Sequence, residues 1–133
     1  MKPLRDTTVL VTGASRGIGA AIAERFASVG MKVAIHYLEQ HEAANETARR
    51  CMRHGAEVIT AAADLRSGEQ IERMREKLYK HGMVPDILVN NAGVSHYGLL
   101  TDTTEEEWDR VMGINLKGLF LATRTFLPHM ITQ

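Results

Sequence analysis

The residues best suited to chemistry form a glycine-rich turn near the start of the chain. Its sequence is Thr12-Gly13-Ala14-Ser15-Arg16-Gly17-Ile18-Gly19. Backbone N–H groups at the start of a helix can bind a pyrophosphate, and glycine is needed where a side chain would hold the backbone away. The general dinucleotide motif G-x-G-x-x-G does not fit, because its third glycine would fall at Ile22. The spacing is instead G-x-x-x-G-x-G, which still indicates a phosphate site between a strand and a helix.

Elements of alternating type position this turn. Apolar β-branched runs predict strands at residues 7–12, 32–37, 57–61 and 86–90. Amphipathic segments predict helices from the turn to Gly30, over about 40–54 and over about 68–80. Thr104 and Glu107 then resemble a capping box that opens a further helix, and a long apolar helix follows from about Val111. The alternation predicts a parallel sheet covered by helices on both faces.

A second motif, Asn90-Asn91-Ala92-Gly93, ends the fourth predicted strand. A strand-ending turn would explain Gly93, but not two consecutive asparagines. With the glycine turn, this motif resembles the short-chain dehydrogenase/reductase family, and within it most closely the 3-oxoacyl-(acyl-carrier-protein) reductases of fatty acid biosynthesis. The resemblance extends from Thr7 to the end of the chain. It implies a Rossmann-like doubly wound sheet of order 3-2-1-4 in three α/β/α layers, incomplete at its C-terminal side.

The resemblance also implies an NAD(P)-dependent oxidoreductase that interconverts carbonyl and alcohol groups by hydride transfer. In the family, the residue at Asp64 bonds the adenine amino group beside the backbone of Leu65, although Asp64 could instead cap a helix, where Ser67 is better placed. The family places the residues at Asn91 and Gly93 against the adenosine ribose and the central sheet. The implied cofactor residues are Thr12, Gly13, Ser15, Arg16, Gly17, Ile18, Gly19, Tyr37, Asp64, Leu65, Asn91, Ala92 and Gly93.

Charge at the end of the second strand predicts which dinucleotide is bound. An acidic residue about 20 positions beyond the glycine turn would bind the ribose hydroxyls of NAD. Tyr37 occupies the equivalent position, and we expect Glu39 to leave the site as the next helix begins. Arg16 can pair with a 2′-phosphate through a charge-assisted bond. The sequence therefore favours NADP(H) over NAD(H).

Asn115 is the one catalytic residue that the resemblance places in this chain. It lies in Gly113-Ile114-Asn115-Leu116-Lys117-Gly118, whose asparagine and glycines weaken a helix. Close helix packing would explain the glycines. In the family, an asparagine here distorts the helix, and its backbone carbonyl holds a water that relays protons to the catalytic lysine.

The remaining catalytic residues of the family are a serine and a Tyr-x-x-x-Lys pair. Four residues beyond Tyr37, Tyr79 and Tyr97 stand His41, Met83 and Thr101, so none of the three tyrosines has the required lysine. We therefore interpret residues 1–133 as a single NAD(P)-binding domain truncated before the catalytic segment and inactive alone. The alternative is a non-catalytic nucleotide-binding or interaction module.

Composition excludes several other classes of function. The chain of 133 residues has 16 Lys+Arg and 16 Asp+Glu, so no net field attracts nucleic acid. No run approaches the roughly 18 apolar residues that a membrane span needs. Cys51 is the single cysteine, and the six histidines lack ligand spacing, so we expect no disulfide and no metal site. We expect a cytoplasmic homo-oligomer, dimer or tetramer at full length, acting on a small-molecule or acyl-thioester carbonyl, with residues 94–97 contributing substrate contacts.

Overall fold

The computed structural model describes residues 2–133. Strands and helices alternate from the start, in the order β1 (Thr8–Val11), α1 (Gly17–Ser28), β2 (Lys32–Tyr37), α2 (His41–Arg53), β3 (Val58–Ala62), α3 (Gly68–Lys80) and β4 (Ile87–Val89). The chain then continues through α4 (Glu105–Met112), a π-helical segment (Gly113–Gly118) and α5 (Leu119–Thr132). Short 3-10 turns lie at Leu4–Asp6 and Leu100–Asp102. The predicted bounds of the first seven elements differ from these by only one or two residues.

The four strands form one parallel sheet in the order β3-β2-β1-β4. In the register of the sheet, Val9 pairs with Val33 on one side and with Ile87 on the other. Because β1 is central, its carboxyl end is flanked by those of β2 and β4. The predicted strand order and Rossmann-like topology are confirmed.

Each face of the sheet has its own apolar core, because successive side chains of a strand point in opposite directions. Val9 and Val11 of β1 face α1 and α2, where small side chains allow the helices to approach the sheet: Ala23, Ala27, Ala44 and Ala48. Leu10 points to the other face, which is covered by Ile71, Met74, Leu78, Leu121 and Phe126 of α3 and α5. The predicted three-layer arrangement is confirmed.

The helical region after residue 104 differs from its prediction. Thr104 and Glu107 form the expected capping box, in which each side chain accepts a hydrogen bond from the other residue's backbone N–H. The prediction of two separate helices divided near Val111 is wrong, since Gly113 and Gly118 both have right-handed helical backbone. One continuous helix, interrupted only in its hydrogen-bond pattern, therefore runs from Glu105 to Thr132.

One side of this helix is buried and the other is exposed. Leu121, Ala122 and Phe126 of α5 pack into the sheet, with Phe126 fully buried. The opposite side, here called the outer face, consists of exposed apolar residues: Leu116, Leu119, Phe120, Leu127 and Ile131. This agrees with a helix predicted to be apolar around most of its circumference. Among residues 2–133, no helix has both the length and the apolar character needed to cross a bilayer.

Candidate cofactor site

A cleft of about 560 Å³ opens at the carboxyl ends of the four strands. The glycine turn forms one wall, and the segments that follow β2, β3 and β4 form the others. All of the predicted cofactor residues except Thr12 line this cleft. A larger groove of about 810 Å³ lies along α4 and the π-helical segment, but it contains no residue of the glycine turn.

The three glycines of the turn are required for different physical reasons. Gly13 has a φ of 62°, and a Cβ there would lie 2.8 Å from the Cα of Ala92. Gly17 also has a positive φ, of 60°, but its missing side chain leaves open space. Gly19 is helical, and a Cβ would come within 2.4 Å of the Gly13 carbonyl oxygen. Gly13 and Gly19 therefore allow the turn to pack tightly. Gly17 instead allows a positive φ and leaves open space beside the cleft.

Thr12 and Asn91 bind the turn to the end of β4. The Thr12 hydroxyl accepts hydrogen bonds from the backbone N–H groups of Asn91 and Ala92, each at 3.0 Å. The Asn91 amide donates to the carbonyl oxygens of Thr12 and Gly13, at 3.0 and 3.1 Å. Thr12 is buried and outside the lining of the cleft, and its hydroxyl holds the turn in place. Its part in cofactor binding stays a prediction.

Two further residues hold the turn and were not predicted. His36 of β2 is buried, and its Nδ1 accepts the backbone N–H of Gly13 at 3.0 Å. Thr47 of α2 is also buried, and its hydroxyl donates to the Ser15 carbonyl oxygen at 2.9 Å. In the sequence, His36 stands out only as a single histidine near the end of an otherwise apolar strand, and its spacing from the other histidines gives no indication of its role.

Asp64 lies at the end of β3 with its carboxylate already paired. The Arg66 guanidinium donates to both carboxylate oxygens, with a shortest distance of 2.7 Å. This hydrogen-bonded pair holds the pKa of Asp64 below its usual range. The cap of α3 is Ser67, whose hydroxyl accepts from the Gln70 N–H at 3.2 Å. The capping alternative for Asp64 is therefore wrong, and its role toward adenine stays a prediction.

The rim of the cleft carries the residues expected to select the cofactor. Arg16 is exposed in the turn, directly before α1. Tyr37 donates or accepts a 2.7 Å hydrogen bond with Nδ1 of His41, at the start of α2. The expectation that Glu39 leaves the site is wrong, because α2 begins only at His41 and Glu39 lines the cleft.

Asn115 lies in the π-helical segment and binds the loop after β4. Its Oδ1 accepts the Val94 N–H and its Nδ2 donates to the Val94 carbonyl, both at 2.8 Å. The glycines on either side pack closely: a Cβ on Gly118 would lie 3.0 Å from the Cβ of Leu65, and one on Gly113 would lie 3.2 Å from the Cδ of Arg66. Close packing thus explains the glycines, and the loop contact adds a second reason for the asparagine. Its catalytic role stays a prediction.

The sequence pattern described as short chain dehydrogenase matches residues 7–133 of the chain. The chain belongs to the short-chain dehydrogenase family. The family inferred from the glycine turn and the Asn-Asn-Ala-Gly motif is thereby confirmed.

Curated relatives and a solved structure of this family resemble the chain along nearly its whole length. Versicolorin reductase 1 of Aspergillus parasiticus is 38% identical over 127 residues, covering 96% of this chain and 48% of the relative. The 3-oxoacyl-(acyl-carrier-protein) reductase of Staphylococcus epidermidis is 38% identical over 129 residues, covering 96% and 52%. A short chain dehydrogenase from Burkholderia cenocepacia in complex with NADP has a TM-score of 0.89 at 33% identity, covering 96% and 52%. The chain spans about half the length of the family members it matches.

Outside the cleft, the described residues of this short-chain dehydrogenase offer few reactive groups. Burial raises the pKa of the Cys51 thiol to about 11, so the thiol is protonated at neutral pH and a weak nucleophile. In residues 2–133, no three histidine, cysteine or acidic side chains are grouped as metal ligands.

Val94 lines the cleft, whereas Tyr97 is exposed. Within the loop of residues 94–97, which is expected to contact substrate, Val94 therefore lines the cofactor cleft.

Proposed function

We propose that the chain binds an NAD(P) dinucleotide in the cleft, with the pyrophosphate at the glycine turn. The observation that carries this proposal is the turn itself, which opens α1 and leaves free space at Gly17. The backbone N–H groups at the start of α1 carry the positive end of the helix dipole, which favours an anion. The family membership supports the same assignment, because the turn and the Asn91 loop are the segments that carry the resemblance.

The preferred cofactor is NADP(H). Arg16 brings a cation to the rim of the cleft, and Tyr37 replaces the acidic residue that would bind the ribose hydroxyls of NAD. The Burkholderia cenocepacia relative is a complex with NADP. The observation that favours NAD(H) is Glu39, an acidic residue that lines the cleft. The balance between Arg16 and Glu39 therefore sets the preference.

Calorimetric titration of the purified chain with NADPH and with NADH tests both statements. We expect NADPH to bind more tightly, and Arg16→Gln to weaken NADPH about tenfold, the effect of losing one charge-assisted hydrogen bond. Arg16→Gln should leave NADH nearly unchanged, and Glu39→Gln should not weaken NADPH. Tighter binding of NADH by the unaltered chain contradicts the NADP(H) preference. Failure to bind either dinucleotide contradicts the proposed function.

The reaction we assign to the whole protein is NADP(H)-dependent interconversion of a carbonyl and an alcohol by hydride transfer. A 3-oxoacyl thioester is the proposed substrate, on the basis of the Staphylococcus epidermidis relative. Residues 1–133 form, in this proposal, one truncated NAD(P)-binding domain that holds the cofactor-binding half. Asn115 is the residue of the proton relay within it.

An activity assay separates this reaction from binding alone. The full-length protein should oxidise NADPH in the presence of an acetoacetyl thioester, whereas the 133-residue chain should bind NADPH without turnover. An inactive full-length protein that reduces neither this thioester nor other small ketones contradicts the assignment. Activity with a different ketone retains the reaction and corrects the substrate.

A non-catalytic nucleotide-binding or interaction module is the second candidate. It is favoured by the absence of a lysine four residues after Tyr37, Tyr79 or Tyr97. The coding sequence beyond Gln133 discriminates between the two candidates. A reading frame that continues for roughly a hundred residues, through a serine and a Tyr-x-x-x-Lys pair, rules out the module, because family members are about twice this length. A stop codon directly after Gln133, with a stable product, rules out the reductase.

A further inference from the structure

The side chain of His36 lies between two walls of the cofactor cleft. Its Nδ1 meets the Gly13 N–H of the glycine turn at 3.0 Å, and its Nε2 meets the Ala63 carbonyl oxygen at 2.8 Å, directly before Asp64. The main-chain carbonyl of His36 accepts the Ala14 N–H at 2.9 Å. One residue of β2 thus fixes two consecutive amides of the turn and the end of β3.

These contacts require a single form of the imidazole. An amide N–H can only donate, so the Nδ1 that faces Gly13 must carry a lone pair. A carbonyl oxygen can only accept, so the Nε2 that faces Ala63 must carry the proton. The ring is therefore neutral and protonated at Nε2. Protonation of Nδ1 would place two donors against each other in a buried space.

We propose that His36 is a positioning residue of the cofactor site, whose neutral ring fixes the Gly13 amide and so the path of the phosphate-binding turn. This inference rests on the proposed binding of a dinucleotide in the cleft. His36 occupies the amides of Gly13 and Ala14, so the turn presents to the phosphates the amides that follow Ala14. Loss of the Nδ1 contact releases Gly13, whose backbone can then leave its φ of 62° easily, because glycine adopts both signs of φ.

The surroundings of the ring oppose its protonation. Burial lowers the pKa of His36, and the hydrogen bond to the Ala63 carbonyl and the carboxylate of Asp64 offset this effect only in part. The other charged side chains of the cleft are Arg16 in the turn and Glu39 after β2, and Tyr37 is the neighbouring titratable group. Because His36 must stay neutral, cofactor affinity should be constant at neutral pH and fall in acid.

Two substitutions separate the contacts of the ring. His36→Asn can place its Oδ1 near the position of Nδ1 and accept from Gly13, but it is too short to reach Ala63. His36→Gln can place its amide nitrogen near Nε2 and donate to Ala63, but it leaves the Gly13 amide without a partner. At about pH 8, we expect NADH to bind His36→Asn within about threefold of the unaltered chain. We expect His36→Gln to bind about tenfold more weakly, the effect of one buried unpaired donor.

The pH profile supplies a readout that a purely structural role would not change. NADH is the probe because it lacks the 2′-phosphate, a group that itself titrates near pH 6. As the pH is lowered from about 8, the unaltered chain should keep its affinity until the pH falls below the ordinary imidazole pKa of 6.5 and lose it at the lowered pKa of His36, whereas His36→Asn should give a nearly flat profile. His81→Asn is the matched control. His81 directly follows α3 and its ring contacts the Lys77 carbonyl, so this variant should keep both the affinity and the pH profile.

Equal affinities of His36→Asn and His36→Gln overturn the inference, and so does a His36→Asn variant that keeps the pH profile of the unaltered chain. Urea unfolding of both variants shows whether each is folded. Amide exchange at Gly13, faster in His36→Gln than in His36→Asn, measures the positioning without a cofactor. Failure of the unaltered chain to bind NADH or NADPH counts instead against the proposed function.

Discussion

The cofactor cleft and the outer face of the long helix are built in opposite ways. At the cleft, polar side chains bind backbone atoms of the glycine turn from three directions: half-buried Asn91 after β4, buried His36 in β2 and buried Thr47 in α2. On the outer face, the exposed positions include Leu116, Phe120 and Leu127, which are apolar side chains with no such partners. The contacts that hold the cleft in shape are made between residues of the described chain. The second exposes large apolar side chains along one helix, and exposed apolar surface marks contacts with other protein atoms when it is extensive.

This difference predicts which property a substitution in each region should change. A residue of the cleft holds its neighbours, so changing it should alter both stability and cofactor binding. A residue of the outer face has an exposed side chain, so changing it should alter mainly association. The expected dimer or tetramer of the full-length protein stays a prediction, and the outer face is where it would be tested.

Two phenylalanines of the same helix give the largest expected contrast. Phe126 is fully buried between α5 and the sheet, whereas Phe120 is 54% exposed. Phe126→Ala should lower the free energy of unfolding by about 3–5 kcal/mol, because it opens a cavity in the core. Phe120→Ala should lower it by less than about 1 kcal/mol. Urea denaturation of both variants measures this difference. Similar losses would show that the outer face is covered within the chain.

Two glycines of the turn give the next contrast. Gly19→Ala should lower the free energy of unfolding by about 3 kcal/mol, because the new Cβ would collide with the Gly13 carbonyl and the Asn91 amide. Gly17→Ala meets no atom and should cost about 1 kcal/mol, from its positive φ alone. Thermal and urea unfolding of the two variants decide the order. If Gly17→Ala were the more harmful, the tight packing of the turn would not be what requires its glycines.

Much of this fold could be predicted from the sequence, because the strands are buried on both faces and each helix carries an apolar stripe. The continuity of the long helix could not. Asn115 and the glycines at 113 and 118 weaken a helix locally, but Gly118 packs on Leu65 and Gly113 on the stem of Arg66, and this tertiary contact outweighs propensity. The helix therefore continues through the segment as a π-helical stretch.

The candidate site divides in the same way. The lining of the cleft could be predicted from motifs, since glycines and asparagines at fixed spacing identify the turn and the end of β4. His36 and Thr47 also hold the turn, but their contacts could not be predicted, because their partners are backbone atoms distant in sequence. His36 meets Gly13 from 23 positions away, and Thr47 meets Ser15 from 32. Only the folded sheet brings these groups together.

Adjacent asparagines at the end of β4 provide a smaller, matched contrast. The Asn91 amide donates to two carbonyl oxygens of the turn, whereas Asn90 is exposed and donates to the Thr123 hydroxyl at 3.1 Å. Asn91→Asp should cost about 2 kcal/mol and weaken dinucleotide binding, because a carboxylate would face two carbonyl oxygens. Asn90→Asp should change little, since the hydroxyl of Thr123 can donate to a carboxylate. Calorimetric binding and urea unfolding compare the two. Equal losses would mean that charge at this edge, rather than the lost donor, is responsible.

The smallest expected effect lies where the cleft meets the long helix. Arg66 pairs with Asp64 and packs its stem on Gly113. Arg66→Met keeps most of that stem and removes the guanidinium, so the pKa of Asp64 should rise toward its ordinary value. A carboxyl whose pKa is lowered by folding stabilises the fold above its ordinary pKa, and this stabilisation is lost as the pH falls through the lowered value. Acid unfolding of Arg66→Met should therefore begin at a higher pH than that of the unaltered chain.

Titration of the Asp64 carboxyl by NMR measures this shift directly. Arg73→Met is the control, because Arg73 pairs with Glu69 on the exposed side of α3 and makes no contact with Asp64. The Asp64 pKa should stay lowered in Arg73→Met and rise only in Arg66→Met. If the Asp64 pKa stays lowered in both variants, the backbone N–H of Arg66 and the ring of His36 are sufficient to lower it, and the Arg66 guanidinium is not required. The cleft would then keep its carboxylate charged without any side chain that packs on the long helix, and its stability would be independent of that helix.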